Sequence, residues 1–384
     1  MSREYLNGHG RDNAFGAMRL LLAVLVIVSH AFPLGGWGLD PTGYLTHSQV
    51  NIGFLALLGF LAMSGYLVTT SARRTGTLTY LWHRFLRIFP AYWAVLVFGA
   101  VVVGPLAWLA AGRDFVSYWT LEEGGPAGYV ARNFSIYIFQ FGIHDLFLNS
   151  PYGDWSHRPV INGSIWSLYF EVRLYVTIAI LGAFKLLERT RWLVPLGAVT
   201  ALASTLLVDR VPELVPVIHV LFGPGWGPRL AAIFLFGATA ALYSEYVPLD
   251  GRLAVVAAVL SVVTLALGWF LVIGYLCYAY LILWLCFRAP RWSRRIASRH
   301  DLSYGVYLYA FPVQLLLTAY GVPKLGFPAY LVITVAVTLP LAIASWLLVE
   351  RPVLRLKNWG PGRIRRRMPL PAALPEPRPM AEVS

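Results

Sequence analysis

The chain has 384 residues, of which 58% are hydrophobic and 13% are charged, and its formal net charge is +13. Soluble domains contain about 25% charged residues, so this composition excludes an ordinary soluble protein and indicates a polytopic membrane protein. The positive charge does not indicate nucleic-acid binding, because the basic residues cluster between apolar runs, as the positive-inside rule expects. These clusters lie at 73–87, 288–299 and 351–367.

Ten apolar runs predict transmembrane helices. They are 14–34, 51–70, 89–111, 165–187, 192–208, 229–246, 253–268, 269–287, 302–320 and 327–349. Residues 253–287 would form one helix about 52 Å long, too long for a hydrocarbon core of about 30 Å, so we divide this stretch near Gly268. With a cytoplasmic N-terminus, every strongly basic loop falls inside. The predicted fold is therefore an all-α polytopic membrane protein with about ten transmembrane helices and both termini in the cytoplasm.

The first run contains two residues that are costly in a membrane, Arg19 and His30. They are eleven positions apart, so they project from nearly the same stripe of a helix, about 16 Å apart along its axis. His30 falls toward the outer half of the membrane. Its imidazole could accept a proton from a hydroxyl group. The alternative is a buried histidine that hydrogen-bonds a neighbouring helix. No small-residue cleavage site follows this run, so we expect no cleavable signal peptide.

The second run contains a series of small residues, Gly59, Ala62, Ser64 and Gly65. Small residues allow helices to approach closely in lipid, so packing is the favoured interpretation. A nucleophilic role for Ser64 is the alternative, although the segment lacks the strand-to-helix elbow of serine hydrolases.

Arg84 and Arg87 precede the third run and are three residues apart, so they share one face of a helix at its cytoplasmic entry. Two forked guanidinium groups suit a polyphosphate, and a cofactor that carries a pyrophosphate would arrive from this side. The alternative is a simple positive-inside anchor.

The segment 129–148 is apolar but is interrupted by polar and charged residues, namely Arg132, Asn133, Gln140, His144 and Asp145. A span here would invert every later loop and place the most basic loop outside. We therefore expect an outer-surface or re-entrant segment. Together with 35–50 and 209–228, it would form irregular outer loops that select the substrate.

The fourth run begins with NGSIWSLYFEVRLYV and places Glu171 about one turn inside an apolar helix, near the depth of His30. Tyr175 follows on the same face. A carboxylate here could orient the imidazole or bind a hydroxylated substrate. We expect Glu171, Tyr175 and Trp166 to contact the substrate, whereas the alternative for Glu171 is a water-exposed interfacial residue.

The remaining features predict neither a metal site nor a second domain. Cys277 and Cys286 share one apolar run without a CxxC motif, so we expect both to pack in the core. No group of His, Cys and carboxylate residues has the spacing of zinc ligands. Residues 358–384 are rich in proline and arginine, which predicts a disordered cytoplasmic tail after a transmembrane domain at 1–357.

Taken in order, these segments resemble the membrane acyltransferase-3 family, which includes O-antigen and exopolysaccharide acetylases and macrolide acyltransferases. The resemblance covers nearly all of residues 11–357. Its motifs are Arg19 with ten residues before His30, GFLAMSGYLV, Arg84-x-x-Arg87 with IFPAYW, GSIWSLYFE at 163–171, SYGVYLYAFPV at 303–313, and Glu350-Arg351-Pro352. One departure lies in the second segment, which usually reads FFxxSGF in the family, whereas here Ala62-Met63 precede Ser64-Gly65, with Leu and Gly earlier.

The resemblance implies a bacterial inner-membrane enzyme that moves an acyl group, usually acetyl, from cytoplasmic acyl-coenzyme A to a hydroxyl of a carbohydrate, glycolipid or macrolide. Arg19 and His30 match the family's essential pair, and Arg84 and Arg87 match its coenzyme-side arginines. Glu171 matches the acid of the WSL-x-x-E segment. We expect direct transfer, with His30, Glu171 and Arg19 at the reacting groups.

Two rival hypotheses remain. A transporter or flippase for a lipid-linked or small hydroxylated molecule would also need intramembrane Arg, His and Glu residues around a polar cavity. Within the enzyme hypothesis, a covalent acyl-enzyme could form on Ser64, His30 or a tyrosine.

Overall fold

A computed structural model describes residues 5–6, 13–121, 123–297 and 301–360. Within these ranges the regular structure is helical, with one isolated β-bridge between Tyr5 and Pro248. A helix occurs at each of the ten predicted positions. In chain order these are α1 Phe15–Gly35, α2 Ile52–Arg74, α3 Thr77–Ala110, α4 Trp166–Ala183, α5 Leu193–Leu207, α6 Gly227–Leu242, α7 Gly251–Ala266, α8 Phe270–Arg288, α9 Ser303–Ala319 and α10 Phe327–Trp359.

Six of these helices, α1, α2, α3, α4, α8 and α10, are long and apolar enough to cross a membrane. A seventh crossing results if α6 is counted with the preceding helical segment Pro212–Phe222, from which it bends by 48°. Within the described residues, length and composition therefore establish six or seven membrane crossings, fewer than the ten predicted. The predicted loop 209–228 is also partly helical, because Val215–Phe222 forms two turns.

The third predicted span starts twelve residues too late, at 89 rather than at Thr77. The apolar run begins only after the charged residues Arg84 and Arg87. In the structure both lie inside α3, where Arg87 pairs with Asp301 and Arg84 lies over the Tyr175 ring. Pro90 does not end the helix.

The predicted break in 253–287 is confirmed. Helix α7 ends at Ala266, and Gly268 adopts a φ of +81°, which a residue with a Cβ rarely adopts. A π-helical turn, Phe270–Gly274, then begins α8. The segment 129–148 contains no spanning helix, since Pro126–Asn133 is followed by irregular backbone up to Pro151–Ser156.

Helix α2 packs closely against α6 through small residues. A Cβ placed on Gly65 would lie 1.9 Å from the backbone oxygen of Phe234, and one on Gly237 would lie 2.0 Å from that of Ala62. The packing role predicted for Ala62 and Gly65 is therefore confirmed.

Contacts between helix ends show which ends lie together. The Trp82 Nε1 near the start of α3 donates to the Leu356 oxygen near the end of α10 at 3.0 Å, and Arg19 near the start of α1 contacts Asp301 just before α9. We call this the basic end, since Arg73, Arg74 and Arg351 also belong to it. At the opposite end, Thr318 Oγ1 in α9 donates to the Leu34 oxygen in α1 at 3.0 Å.

The predicted tail lies almost entirely outside the described residues. A 3-10 helix at Arg355–Trp359 spans the proposed boundary at 357. Residues 361–384 are not described.

Candidate active site

Two cavities open among the helices, and the predicted site residues divide between them. The arginine cavity has a volume of about 800 Å³, and its lining includes Arg19, Arg84, Arg87, Glu171 and Tyr175. The histidine cavity has a volume of about 1610 Å³, and its lining includes His30 and Trp166.

The described residues that line both cavities are Leu57 of α2 and Tyr307 of α9. Arg19 and His30 project from one stripe of α1, as predicted, but they reach different cavities. The two spaces are therefore neighbours along the axis of α1, and Leu57 and Tyr307 form the wall that they share.

Arg87 is held by two carboxylates. Its Nη2 donates to Oδ2 of Asp301 at 2.7 Å, and its Nη1 lies 3.6 Å from Oε2 of Glu350. Arg19 donates to the same Asp301 oxygen. The Arg87 Cζ also lies 5.5 Å from the centre of the Tyr304 ring.

Asp301 remains ionised in this setting. Burial acts to raise the pKa of its carboxyl, but the charges of Arg87 and Arg19 lower the pKa by more, so it lies below its usual range. Hydrogen bonds from the backbone and hydroxyl of Ser303 lower it further. One carboxylate thus fixes two guanidinium groups at the mouth of the arginine cavity.

Arg84 differs from Arg87 in its surroundings. Within the described chain it forms no ion pair with a carboxylate, and its buried Nε has no hydrogen-bond partner. Its Cζ lies 5.8 Å from the centre of the Tyr80 ring and 5.7 Å from that of Tyr175. A cation that lines a cavity and has no carboxylate within ion-pair distance is suited to an anionic ligand.

Glu171 does not lie beside His30 in the structure. Its Oε1 accepts hydrogen bonds from Ser64 Oγ at 2.9 Å and from the Tyr175 hydroxyl, and Ser64 Oγ lies 3.0 Å from Tyr175 Oη. The three residues form one hydrogen-bonded cluster in the arginine cavity. The prediction that Glu171 lies near the depth of His30 is therefore wrong. The periodicity of α4 predicts which face of the helix carries Glu171, but it does not predict how α4 is tilted and shifted relative to α1.

His30 lies in an aromatic part of the histidine cavity. Its ring meets that of Phe311 edge to face at a centroid distance of 5.2 Å, and its buried Nδ1 has no hydrogen-bond partner among the described residues. The expected alternative, a histidine fixed to a neighbouring helix by a hydrogen bond through this atom, does not describe the structure. The free Nδ1 can accept a proton from a ligand hydroxyl.

Trp166 lines the same cavity as His30, together with Phe54, Tyr152, Trp155 and Trp226. The three predicted substrate residues of the fourth span therefore separate, since Trp166 lines the histidine cavity and Glu171 and Tyr175 line the arginine cavity. Aromatic rings with a few polar groups are typical of small-molecule sites.

Sequence reasoning missed the partners of the arginines, Asp301 and Glu350. Glu350 is 3% exposed and lies in a π-helical turn, Trp346–Glu350, near the end of α10. The argument that singled out His30, an ionisable residue in an apolar run, applies equally to Glu350. Asp301 is an isolated acidic residue that follows a strongly basic stretch, and this pattern could have identified it as a partner of the arginines.

Groups of three or more His, Cys, Asp or Glu side chains that could hold a metal ion do not occur in the part of the chain that is described. Cys286 is buried beside Met63, with Sγ 3.4 Å from Sδ, and Cys277 is half-buried.

Comparison with known proteins gives a consistent picture. The family model described as "Acyltransferase domain", of the acyltransferase-3 type, matches residues 12–347. The "O-acetyl transferase" of Shigella phage Sf6 is 28% identical over 350 residues, which cover 89% of this chain and 96% of that protein. "Nodulation protein 10" of Rhizobium leguminosarum bv. viciae is 28% identical over 390 residues, with 93% and 96% covered. No solved structure gives a significant match. The chain belongs to the acyltransferase-3 family and is a multi-pass membrane acyltransferase.

Proposed function

We propose that this protein transfers an acyl group, most simply acetyl, from acyl-coenzyme A to a hydroxyl of a cell-surface carbohydrate, glycolipid or similar acceptor. The observation that carries the proposal is the division of the site: cations line one cavity, and the free imidazole of His30 lines the next. The O-acetyl transferase name of the phage relative supports transfer to oxygen.

The arginine cavity is the proposed donor site. Coenzyme A carries phosphates at one end and the thioester at the other, joined by a long pantetheine arm. Arg84 meets the requirement for a phosphate ligand, because its buried Nε lacks a protein partner. Arg19 and Arg87 line the same cavity, where Asp301 and Glu350 pair with them.

Placing the donor at the basic end agrees with the proposed topology, in which this end faces the cytoplasm of a bacterial cell and both termini lie there. Acyl-coenzyme A would enter from that side. The acceptor would reach the histidine cavity from the opposite end, where the segments 36–51 and 111–165 lie.

His30 is the proposed general base. Its Nδ1 accepts the proton of the acceptor hydroxyl as that oxygen attacks the thioester carbon, the carbon–sulfur bond breaks, and the proton passes to the departing thiolate. General-base catalysis of this kind contributes about 10²–10⁴-fold. Arg19, eleven residues earlier in α1, would hold the donor, and the Glu171 cluster would contact its arm within the arginine cavity.

The test uses membrane vesicles from the native host, deleted for the gene and complemented with wild type or His30→Ala at equal protein levels. The vesicles supply the acceptor and receive acetyl-coenzyme A with a labelled acetyl group. We expect label in the carbohydrate fraction with wild type and a loss of at least about 100-fold with His30→Ala. Label that stays in the thioester with wild type would refute the proposal and favour the transporter hypothesis.

A further inference from the structure

The wall between the two cavities is made by a small number of side chains. Leu57 reaches it from α2 and Tyr307 from α9, and both residues are half-buried. If the donor phosphates lie beside Arg84 and the reacting hydroxyl lies beside His30, the acyl end of the donor has to pass this wall. The wall therefore lies between the donor anchor and the proposed base.

Tyr307 is fixed in place on its polar side. Its hydroxyl donates to the backbone oxygen of Ser164 and lies 2.8 Å from Ser167 Oγ, so α9 is tied to the segment that begins α4. Its ring packs against Phe60 of α2 at a centroid distance of 6.2 Å. A side chain held at both its hydroxyl and its ring cannot swing away without losing these contacts.

The other side of the wall is aliphatic. Leu57 lies one turn before Phe60 on α2, and the arginine cavity continues from there along Phe60, Met63 and Leu67. The surface behind the wall is apolar, so a longer acyl chain can rest in the arginine cavity.

We propose that Leu57 and Tyr307 form an acyl constriction that sets the size of the acyl group delivered to His30. The inference rests on the proposed function and deepens it by naming the residues that determine donor selectivity. The phosphates anchor every acyl-coenzyme A alike, so selection among acyl groups falls on this constriction. A single methylene in an apolar site changes selectivity by about 10–200-fold.

The experiment compares acetyl-, butyryl- and hexanoyl-coenzyme A, each with a labelled acyl group, in the same complemented vesicles. Leu57→Ala widens the constriction, and we expect the ratio of butyryl to acetyl transfer, as kcat/KM, to rise about tenfold over wild type. Leu57→Phe narrows it, and we expect acetyl transfer to fall while binding of acetyl-coenzyme A to the purified protein stays within twofold.

Leu55→Ala is the matched control, since Leu55 is half-buried on α2 like Leu57 but lines neither cavity. We expect its ratio of butyryl to acetyl transfer to stay within twofold of wild type. An equal ratio in Leu57→Ala and wild type, or an equal rise in Leu57→Ala and Leu55→Ala, would overturn the constriction. If Leu57→Ala does not accumulate, Leu57→Phe tests the inference from the opposite direction, and unchanged acetyl transfer would refute it.

The two proposals fail in different ways. Absence of transfer from every donor by wild type would refute the proposed function. Transfer by wild type with a chain-length profile that ignores Leu57 would refute the acyl constriction alone.

Discussion

Arg87 donates a hydrogen bond from Nη2 to Oδ2 of Asp301 at 2.7 Å, and this ion pair ties α3 to the start of α9. The same carboxylate oxygen accepts from Arg19, so α1 joins the pair. Asp301 therefore holds three helices together at the mouth of the arginine cavity, while Arg84 stays available for a ligand.

Replacement of Asp301 by asparagine should destabilise the protein, because it leaves two guanidinium groups without their shared anion. The side chain of Asp301 is 16% exposed, and we expect a loss of about 2 kcal/mol, below the 3–5 kcal/mol of fully buried pairs. The folded-state pKa of Asp301 is lowered, so its contribution exists above the unfolded pKa of about 3.9 and is lost as pH falls through the folded value. Asp301→Asn should thus lower the Tm in detergent by the same amount at pH 6 and pH 8.

Asp145→Asn is the control for this measurement. Asp145 pairs with Arg113, but the two side chains are 50% and 38% exposed, and exposed pairs contribute about 0–1 kcal/mol. We expect a Tm close to that of wild type. An equal fall in both variants would show that Asp301 has no special structural role.

Ser64→Ala should retain most of the transfer activity. Ser64 lies in the arginine cavity with Glu171 and Tyr175, and among the described residues no imidazole lines this cavity to activate its hydroxyl as a nucleophile. We expect turnover within about fivefold of wild type and no acyl label on denatured wild-type protein. Ser71→Ala, on the same helix but outside both cavities, serves as the control.

The covalent mechanism predicts the opposite result for Ser64. It would give labelled wild-type protein after acid quench and a loss of more than about 100-fold in Ser64→Ala. Ser71→Ala would keep both the label and the activity.

Gly65→Ala should strongly reduce the stability of the fold. Its new methyl group would lie 1.9 Å from the Phe234 oxygen, which is backbone of α6 and cannot rotate away. Overpacking of this kind costs about 1–3 kcal/mol, which should appear as a lower Tm and a lower yield of monodisperse protein.

Gly182→Ala in α4 provides the matched comparison. The nearest atom to its Cβ would be Leu187 Cδ1 at 3.7 Å, which is ordinary contact. Because alanine favours a helix over glycine by about 1 kcal/mol, we expect an unchanged or slightly higher Tm. A Gly65→Ala protein as stable as Gly182→Ala would contradict the close packing of α2 on α6.

The sequence predicted those features that depend on local pattern. Hydropathy located a helix at all ten positions, the length limit of a span located the break at Gly268, and residue spacing put Arg84 and Arg87 on one face of α3. Charge in an apolar run correctly drew attention to Arg19 and His30 as cavity-lining residues.

Local patterns could not predict features that depend on how the helices lie relative to one another. The separation of Glu171 from His30 follows from how α4 lies against α2, because Ser64 of α2 donates a hydrogen bond to the Glu171 carboxylate. The partnership of Asp301 with Arg19 joins residues 282 positions apart, and no local spacing encodes it. Hydropathy also placed the start of α3 too late, because the charges of Arg84 and Arg87 concealed about three turns of helix.

The central claim is that the donor binds in the arginine cavity and that His30 acts from the other one. The most direct test is the equilibrium binding of acetyl-coenzyme A to purified wild type, His30→Ala and Arg84→Ala/Arg87→Ala. Arg73→Ala/Arg74→Ala removes the same charge from an exposed part of the basic end and serves as the control.

We expect His30→Ala and the control to bind within twofold of wild type. The Arg84→Ala/Arg87→Ala protein should bind at least about 30-fold more weakly, because charge-assisted hydrogen bonds contribute about 1.5–3 kcal/mol each. A folded Arg84→Ala/Arg87→Ala protein that binds like wild type, or a His30→Ala protein that loses binding equally, would contradict the account.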